Sequence, residues 1–317
     1  MPRLSIVIPV LGDSRQLDDT LLSVLENRPA SCEIVVVHNR PYHDPYHLGD
    51  EVQFIEAERE ATMVACLNQG FAASSAPIVH ILTCGVHVCS GWADAALRHF
   101  RDPDIAAVGA VVLHRDDRRR TISAGLGYCA DGTAWRLEQL NESGNVTGYE
   151  QDFCGPDMLA AFYRRSVVQS LGGLSPWAGD SLAGIDLALA LRHAGFRCVL
   201  EPRCITHVDA TATYIEPAFR RGRNVERLFW RWASRQGWGS SLGAHIALLA
   251  GQCVTGLWHP SLFAQLAGRA WGALQLIFSR RRHRAAEPAL AKKPSVIAAP
   301  HFNTARLQKE RRSSRVA

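Results

Sequence analysis

VHILTCGVHVCSGW, residues 79–92, is the stretch on which the fold turns. Its first four residues, Val79, His80, Ile81 and Leu82, are a short apolar run of the kind that fills a buried strand. Thr83, Cys84 and Gly85 follow as a small-residue break. Then come Val86, Val88 and the pair Gly91-Trp92. In α/β proteins, ligands sit just beyond the carboxyl ends of the parallel strands. The segment after Leu82 is therefore where a site is expected. It holds no acidic residue between Val79 and Gly91, so a hard cation that needs oxygen ligands finds no carboxylate here.

Toward the N-terminus, the pattern alternates. LSIVIPV (residues 4–10) is a β-branched run that predicts a buried first strand. Apolar residues at Leu17, Leu21, Leu22, Val24 and Leu25 predict a helix over 15–27, with Ser14 as its N-cap. EIVVV (33–37) predicts a second strand with a polar end at His38-Asn39-Arg40. Residues 52–55 predict a third strand and 62–73 a helix. Strand, helix, strand, strand, helix, strand at this spacing means an α/β fold with a mainly parallel sheet. Toward the C-terminus we expect a helix over 92–100 and a strand over 106–113. An irregular, Gly-rich segment with a hairpin follows over 122–146. Further elements are a strand over 158–164, helices over 166–171 and 185–194, a short strand over 198–200 closed by Pro202, and a basic amphipathic helix over 220–234.

The chain has 317 residues, 47% apolar and 21% charged, which is the make-up of a globular protein. Its net charge of +5 is misleading. From Arg280 onward eleven Lys or Arg face two Glu, so that tail carries +9 and residues 1–279 carry about −4. A basic groove for nucleic acid is not expected; a polybasic end near anionic lipid is. Residues 242–258 and 262–278 are apolar stretches of about 17 residues, near the minimum for a membrane span, interrupted by His245, Gln252 and Arg269. They read as a helical hairpin at a membrane interface with the Arg280–Arg282 cluster on the cytoplasmic face. Packing on the domain and two true spans are the other readings. The nine cysteines form no CxxC and are odd in number, so reduced thiols in a cytoplasmic protein are expected. The first nine residues are too short and wrongly flanked for a signal peptide.

Six segments together resemble the glycosyltransferases of family 2, with the GT-A fold, over residues 3–235. They are LSIVIPV (4–10), EIVVVHN (33–39), residues 61–92, GGLSPW (172–177), residues 184–207, and GRNVERLFWRW (222–232). A dinucleotide-binding dehydrogenase is disfavoured, because no GxGxxG follows the first strand. The resemblance implies a sugar nucleotide of UDP or dTDP type across the strand ends. It implies Mn²⁺ or Mg²⁺, held by an Asp-x-Asp motif, neutralising the diphosphate leaving group. It also implies a downstream carboxylate that takes the acceptor proton, with inversion at the anomeric carbon.

Carried onto this chain, the resemblance places nucleotide contacts at Pro9, Val10, His38, Asn68, Thr83 and Gly85. His38 stands where the family has an Asp that bonds the base; a neutral imidazole still donates one hydrogen bond. Gly85 stands where a metal-ligating Asp belongs, and Gly184 where the catalytic base belongs. Asp186 of the same motif is kept and becomes the candidate base. His207 is kept and becomes the candidate metal ligand. Asp180, His80 and His87 with Cys84, and Arg220, Arg221 and Arg223 are possible substitutes for the missing groups.

Three altered carboxylate positions point to a degenerate member. The expectation is a single α/β domain over residues 1–235, transferase-like for nucleotide-diphospho-sugars, with a C-terminal helical extension over 236–284. A basic disordered tail is expected over 285–317. The protein would keep a sugar-nucleotide pocket in polysaccharide or glycolipid assembly, peripheral to the inner face of the membrane. The alternatives are an active inverting transferase using Asp186 or Asp180 with a metal-free or atypical metal site, and a non-catalytic scaffold for a nucleotide or protein partner.

Overall fold

The computed structural model describes residues 2–12, 15–138, 153–209, 216–236, 238–256 and 260–283. Ser14, the expected N-cap, and the tail over 285–317 lie outside them.

The first half is a right-handed alternation of strands and helices. Strands β1 (Leu4–Val10), β2 (Cys32–His38), β3 (Val52–Glu56) and β4 (Ile78–Leu82) are mutually parallel in the order β3-β2-β1-β4. Every residue of β1 and β4 is buried, as expected of strands covered on both faces. Helix α1 (Leu17–Asn27) and helix α3 (Trp92–His99) cover one face; α1 starts two residues later than the periodicity suggested. Helix α2 (Met63–Ala73) covers the other, capped by the Thr62 hydroxyl, which accepts from Ala65 N at 3.2 Å. Strand alternation sorts the core: Leu4, Ile6 and Ile8 meet Leu17, Leu21 and Trp92, while Val7 meets Leu67 and Phe71. A Cβ on Gly70 would lie 2.3 Å from Val7, so α2 approaches β1 more closely than any side chain there would permit.

Beyond β4 the sheet is mixed. Strand β5 (Val86–Val88) was not anticipated; it follows the break at Thr83-Cys84-Gly85 and is three residues long. Strand β6 (Ile105–His114) takes a short partner, β7 (Thr121–Ser123). Strands β8 (Leu126–Tyr128) and β9 (Ala134–Arg136) form the expected hairpin as a separate two-stranded ribbon. Strand β10 (Ala160–Arg164) runs antiparallel between β4 and β6. Helices α4 (Arg165–Ser170) and α5 (Ala183–His193) pack on the same face as α2. Strand β11 (Arg197–Val208) joins β6 in parallel and β5 antiparallel. Pro202 does not close this strand. The register shifts between Leu200 and Ile205, and that irregularity holds the proline, which has no amide to give the ladder.

The C-terminal helices are α6 (Ala218–Gln236), α7 (Trp238–Gly256) and α8 (Pro260–His283). Helix α8 lies along α6, and glycines on both helices make the crossing possible. A Cβ on Gly222 would stand 2.0 Å from the Gln265 carbonyl oxygen, and one on Gly268 2.0 Å from that of Phe219. His245 and Arg269, which interrupt the apolar stretches, turn inward onto Glu226 of α6, each at 3.2 Å. Trp230 Nε1 donates to the same carboxylate at 2.7 Å. These neighbours hold the Glu226 carboxyl below its usual range against the opposing effect of burial. No helix among the described residues is long and apolar enough to cross a membrane.

Candidate active site

A cleft of about 480 Å³ opens at the carboxyl ends of β1, β2 and β4. Pro9 and Leu11 come from the end of β1, Asn39 from the end of β2, and Thr83 and Cys84 from the end of β4. The residues around the α2 N-terminus, Asp157 to Leu159, and Asp180 to Gly184 complete the wall. Asn39 knits the floor: its Oδ1 accepts from Gly12 N at 2.9 Å, and its Nδ2 donates to the Ala61 carbonyl at 3.1 Å. Thr83 is tied across the sheet, donating its hydroxyl to the Met158 carbonyl at 2.9 Å.

Two carboxylates line this cleft. Asp180 accepts from Val64 N in the first turn of α2 at 3.0 Å, where the helix dipole favours a negative charge. Asp157 is 7% exposed. It accepts from Arg136 Nε at 2.6 Å, from the Ser123 hydroxyl at 2.8 Å and from Leu159 N at 3.1 Å. Its lone pairs are largely committed, so it orients Arg136 and the β10 approach. The sequence singled out Asp180 but missed Asn39, Arg136 and Asp157. Asn39 had a signal, being polar at a strand end; Asp157 had none, because it reaches the cleft from the segment that enters the antiparallel strand β10.

The expected site residues divide. Pro9 and Thr83 line the cleft. Val10 is 2% exposed and packs in the core. His38 turns back, its Nδ1–H donating to the Arg40 carbonyl at 2.8 Å beside the Tyr42 ring. Asn68 braces the Gly173-Leu174 turn, accepting from Leu174 N and donating to Leu174 O at 2.8 and 2.9 Å. Gly85 gives its amide to Thr20 of α1 at 2.9 Å and has φ +92°, a conformation that strains any side chain. Gly184 does face the cleft, in the first turn of α5. A Cβ there would meet Leu126 at 3.1 Å and Met158 at 3.3 Å.

Asp186 is carried away from the cleft. It is 2% exposed, accepts from Trp232 Nε1 at 2.8 Å and pairs with Arg231 at 3.2 Å. It thereby fastens α5 to α6. His80 is a core residue stacked on Phe162 at 3.8 Å, its Nε2 accepting from Trp92 Nε1. Burial holds its pKa near 3, so it is neutral. His207 stands opposite His87 across β11 and β5, 3.5 Å from the Cys89 thiol. Burial, then the nearby Arg118, holds the His207 imidazole below its usual range.

The donor set does not suit Mn²⁺ or Mg²⁺. The strand end offers a hydroxyl already donated to a carbonyl, a thiol and no carboxylate, whereas such ions take oxygen ligands. Among the described residues no three His, Cys, Asp or Glu side chains stand close enough to hold a metal ion.

The sheet order and the site at its carboxyl edge can be set beside solved structures. A mannosyltransferase from Pyrobaculum calidifontis, solved with GDP-Man and Mn²⁺, superposes with a TM-score of 0.52. It is 17% identical, over 89% of this chain and 83% of that one. GalNAc-T7, solved with UDP, GalNAc and Mn²⁺, gives a TM-score of 0.58 at 12% identity, over 92% of this chain and 58% of that one. The fold is that of the GT-A glycosyltransferases. No protein-family model and no curated protein sequence matches the chain. Both neighbours hold Mn²⁺ in their structures, and this chain has their fold without a fitting donor set at the end of β4.

Proposed function

We propose that this is a glycosyltransferase-like protein of polysaccharide or glycolipid assembly. It retains a sugar-nucleotide cleft and lacks the carboxylates that would drive transfer. It works at the inner face of a membrane, as a peripheral protein, and serves there by binding a nucleotide sugar or a partner. The observation that carries this reading is the pair of glycines. Gly184 lies in the cleft wall with its Cβ direction filled by Leu126 and Met158, and Gly85, next to Cys84 of the lining, has φ +92°, a backbone that strains any side chain. The cleft around them is fully built by Asn39, Thr83, Arg136 and Asp157.

Calorimetric titration with UDP-, dTDP- and GDP-sugars, each with EDTA and with Mn²⁺, tests it. Binding that does not need metal, with no sugar transfer to water or acceptor, is the expected outcome. Tight binding seen only with Mn²⁺ sinks the loss of the metal site.

A second reading is an active transferase with Asp180 as displaced base, favoured by the placement of that carboxylate in the cleft. Turnover abolished by Asp180→Asn with nucleotide binding intact would establish it. Asp186 is not part of this reading, because its carboxylate is consumed by Trp232 and Arg231.

A further inference from the structure

The outer faces of α7 and α8 carry apolar side chains that no described residue covers. On α8, Phe263 is 62%, Trp271 50% and Leu274 48% exposed. These positions, with exposed Ala267 and Ala270 between them, recur at helical spacing along one face. The opposite face, Leu262, Gly268, Arg269 and Gly272, is buried against α6. On α7, Ile246 is 58% and Val254 75% exposed, while His245 on the other side is buried. His245 and Arg269 thus turn into the protein, while Ile246, Val254, Phe263, Trp271 and Leu274 turn out. This is the reverse of a helix that ends at water. Five residues beyond Leu274 the sequence reads SRRRHR, residues 279–284, and the helical backbone continues through His283.

We propose that this face is the docking surface for an anionic lipid bilayer, lying flat in the headgroup region rather than crossing it. It deepens the peripheral-membrane part of the function proposed above and rests on it. The occupant is chosen by two chemistries side by side. A stripe holding a Trp and a Phe suits the boundary between headgroups and acyl chains. The run of four arginines that follows it supplies attraction to anionic headgroups, each charge adding a separate increment. A protein partner would be served by the stripe without needing the arginines. The helices are held to the domain by the Glu226 network and the α6–α8 glycine crossing, so their inner faces stay committed and the outer faces stay available.

The test is co-sedimentation of the full chain with vesicles of phosphatidylcholine alone and of phosphatidylcholine with phosphatidylglycerol. The wild type is expected to sediment with the anionic vesicles, and to be released by high salt. A variant with Phe263→Ser, Trp271→Ser and Leu274→Ser is expected to lose at least ~10-fold in partitioning, since it removes most of the stripe's apolar area. Arg280→Gln, Arg281→Gln and Arg282→Gln together are expected to erase the preference for anionic over neutral vesicles. Phe263, Trp271 and Leu274 are exposed, and circular dichroism checks that the fold survives in both variants. If the wild type stays in the supernatant with every vesicle, the peripheral reading itself fails. If it sediments but the stripe variant sediments equally, the reading stands and this surface is wrong. A wild-type dimer in solution that becomes monomeric in the stripe variant, without sedimentation of either, assigns the face to a second copy and overturns the proposal.

Discussion

Placing a carboxylate at Gly184 is the sharpest perturbation the cleft offers. Gly184→Asp puts an acid at the position where the resemblance places the catalytic base. The structure says what that side chain would meet: Leu126 Cδ1 3.1 Å and Met158 Cγ 3.3 Å from the new Cβ. Leu126 Cδ1 is a side-chain end and Met158 is an unbranched, flexible side chain, so they give way, at an overpacking cost of about 1–3 kcal/mol. Two effects oppose it. An acid in the first turn of α5 gains roughly 0.3–1 kcal/mol from the helix dipole, and replacing a helical glycine recovers about 0.5 kcal/mol. The net expectation is a loss of about 0–2 kcal/mol, or a Tm lower by up to about 5 °C for a domain of this size. Differential scanning fluorimetry reads that shift, with Gly184→Ala isolating the Cβ alone. Turnover of UDP-, dTDP- and GDP-sugars, with and without Mn²⁺, is expected to stay at background, because Gly85 still offers no metal ligand and its φ of +92° resists one. Sugar transfer by Gly184→Asp in the presence of Mn²⁺ would show that the leaving-group site is intact and that the double-loss reasoning is wrong.

The other predictions concern packing and charge. Gly268→Ala points a methyl at the Phe219 carbonyl 2.0 Å away, which is backbone and cannot swing aside; α8 is expected to separate from α6, detected by proteolysis within residues 260–283. Glu226→Gln leaves Arg269 and His245 with a neutral amide in place of their shared carboxylate. Loss of a buried ionic partner costs about 3–5 kcal/mol, and chemical denaturation is expected to show a drop toward that range. His80 has its pKa pushed from 6.5 to about 3 by burial, so below pH 6.5 the unfolded chain binds a proton that the native chain refuses. Stability should therefore fall as pH drops from 6.5 toward 3, by at most about 1.4 kcal/mol per unit from this residue. His80→Gln should flatten that slope in urea titrations at pH 6, 5 and 4; an unchanged slope refutes the assignment.

The parallel half of the sheet was legible because it is built by repetition. β1, β2 and β4 are continuous apolar runs, and each periodic helix lies between two of them. Legibility failed where the physics is non-local. β5 has three residues and exists because β11 pairs with it across more than a hundred positions. Pro202 reads as a strand end, and only the register shift against β6 shows how the strand carries it. The site divides in the same way. Pro9 and Thr83, which the resemblance singled out, lie at strand ends that line the cleft. Asn68 and Asp186 look functional in the linear motif, yet each side chain is spent on joining elements far apart in sequence. Their partners, Leu174 and Trp232 with Arg231, could not be paired with them from spacing alone.

The C-terminal helices could be read either as membrane-seeking or as domain-packed, and the structure makes those two roles compatible. The inner faces are fixed by one carboxylate, Glu226, and by glycines at the α6 crossing. The same α6 reaches the cleft wall: Arg227 stacks on Trp177 with its guanidinium 4.2 Å from the ring centre, and its Nε donates to Gln275 of α8 at 3.0 Å. Trp177 lies three residues before Asp180, which lines the cleft. The outer face of α8, proposed above as the bilayer surface, is thus connected by a short chain of contacts to the segment before Asp180. Removing the relay without touching either end discriminates between a rigid tether and a coupled one. Arg227→Gln should cost about 0.5–2 kcal/mol from the lost cation–π contact and leave vesicle binding intact. If that segment depends on the relay, nucleotide affinity measured by calorimetry falls; if affinity is unchanged, α8 is a tether alone and the cleft is shaped by Asp180 and Val64 without it.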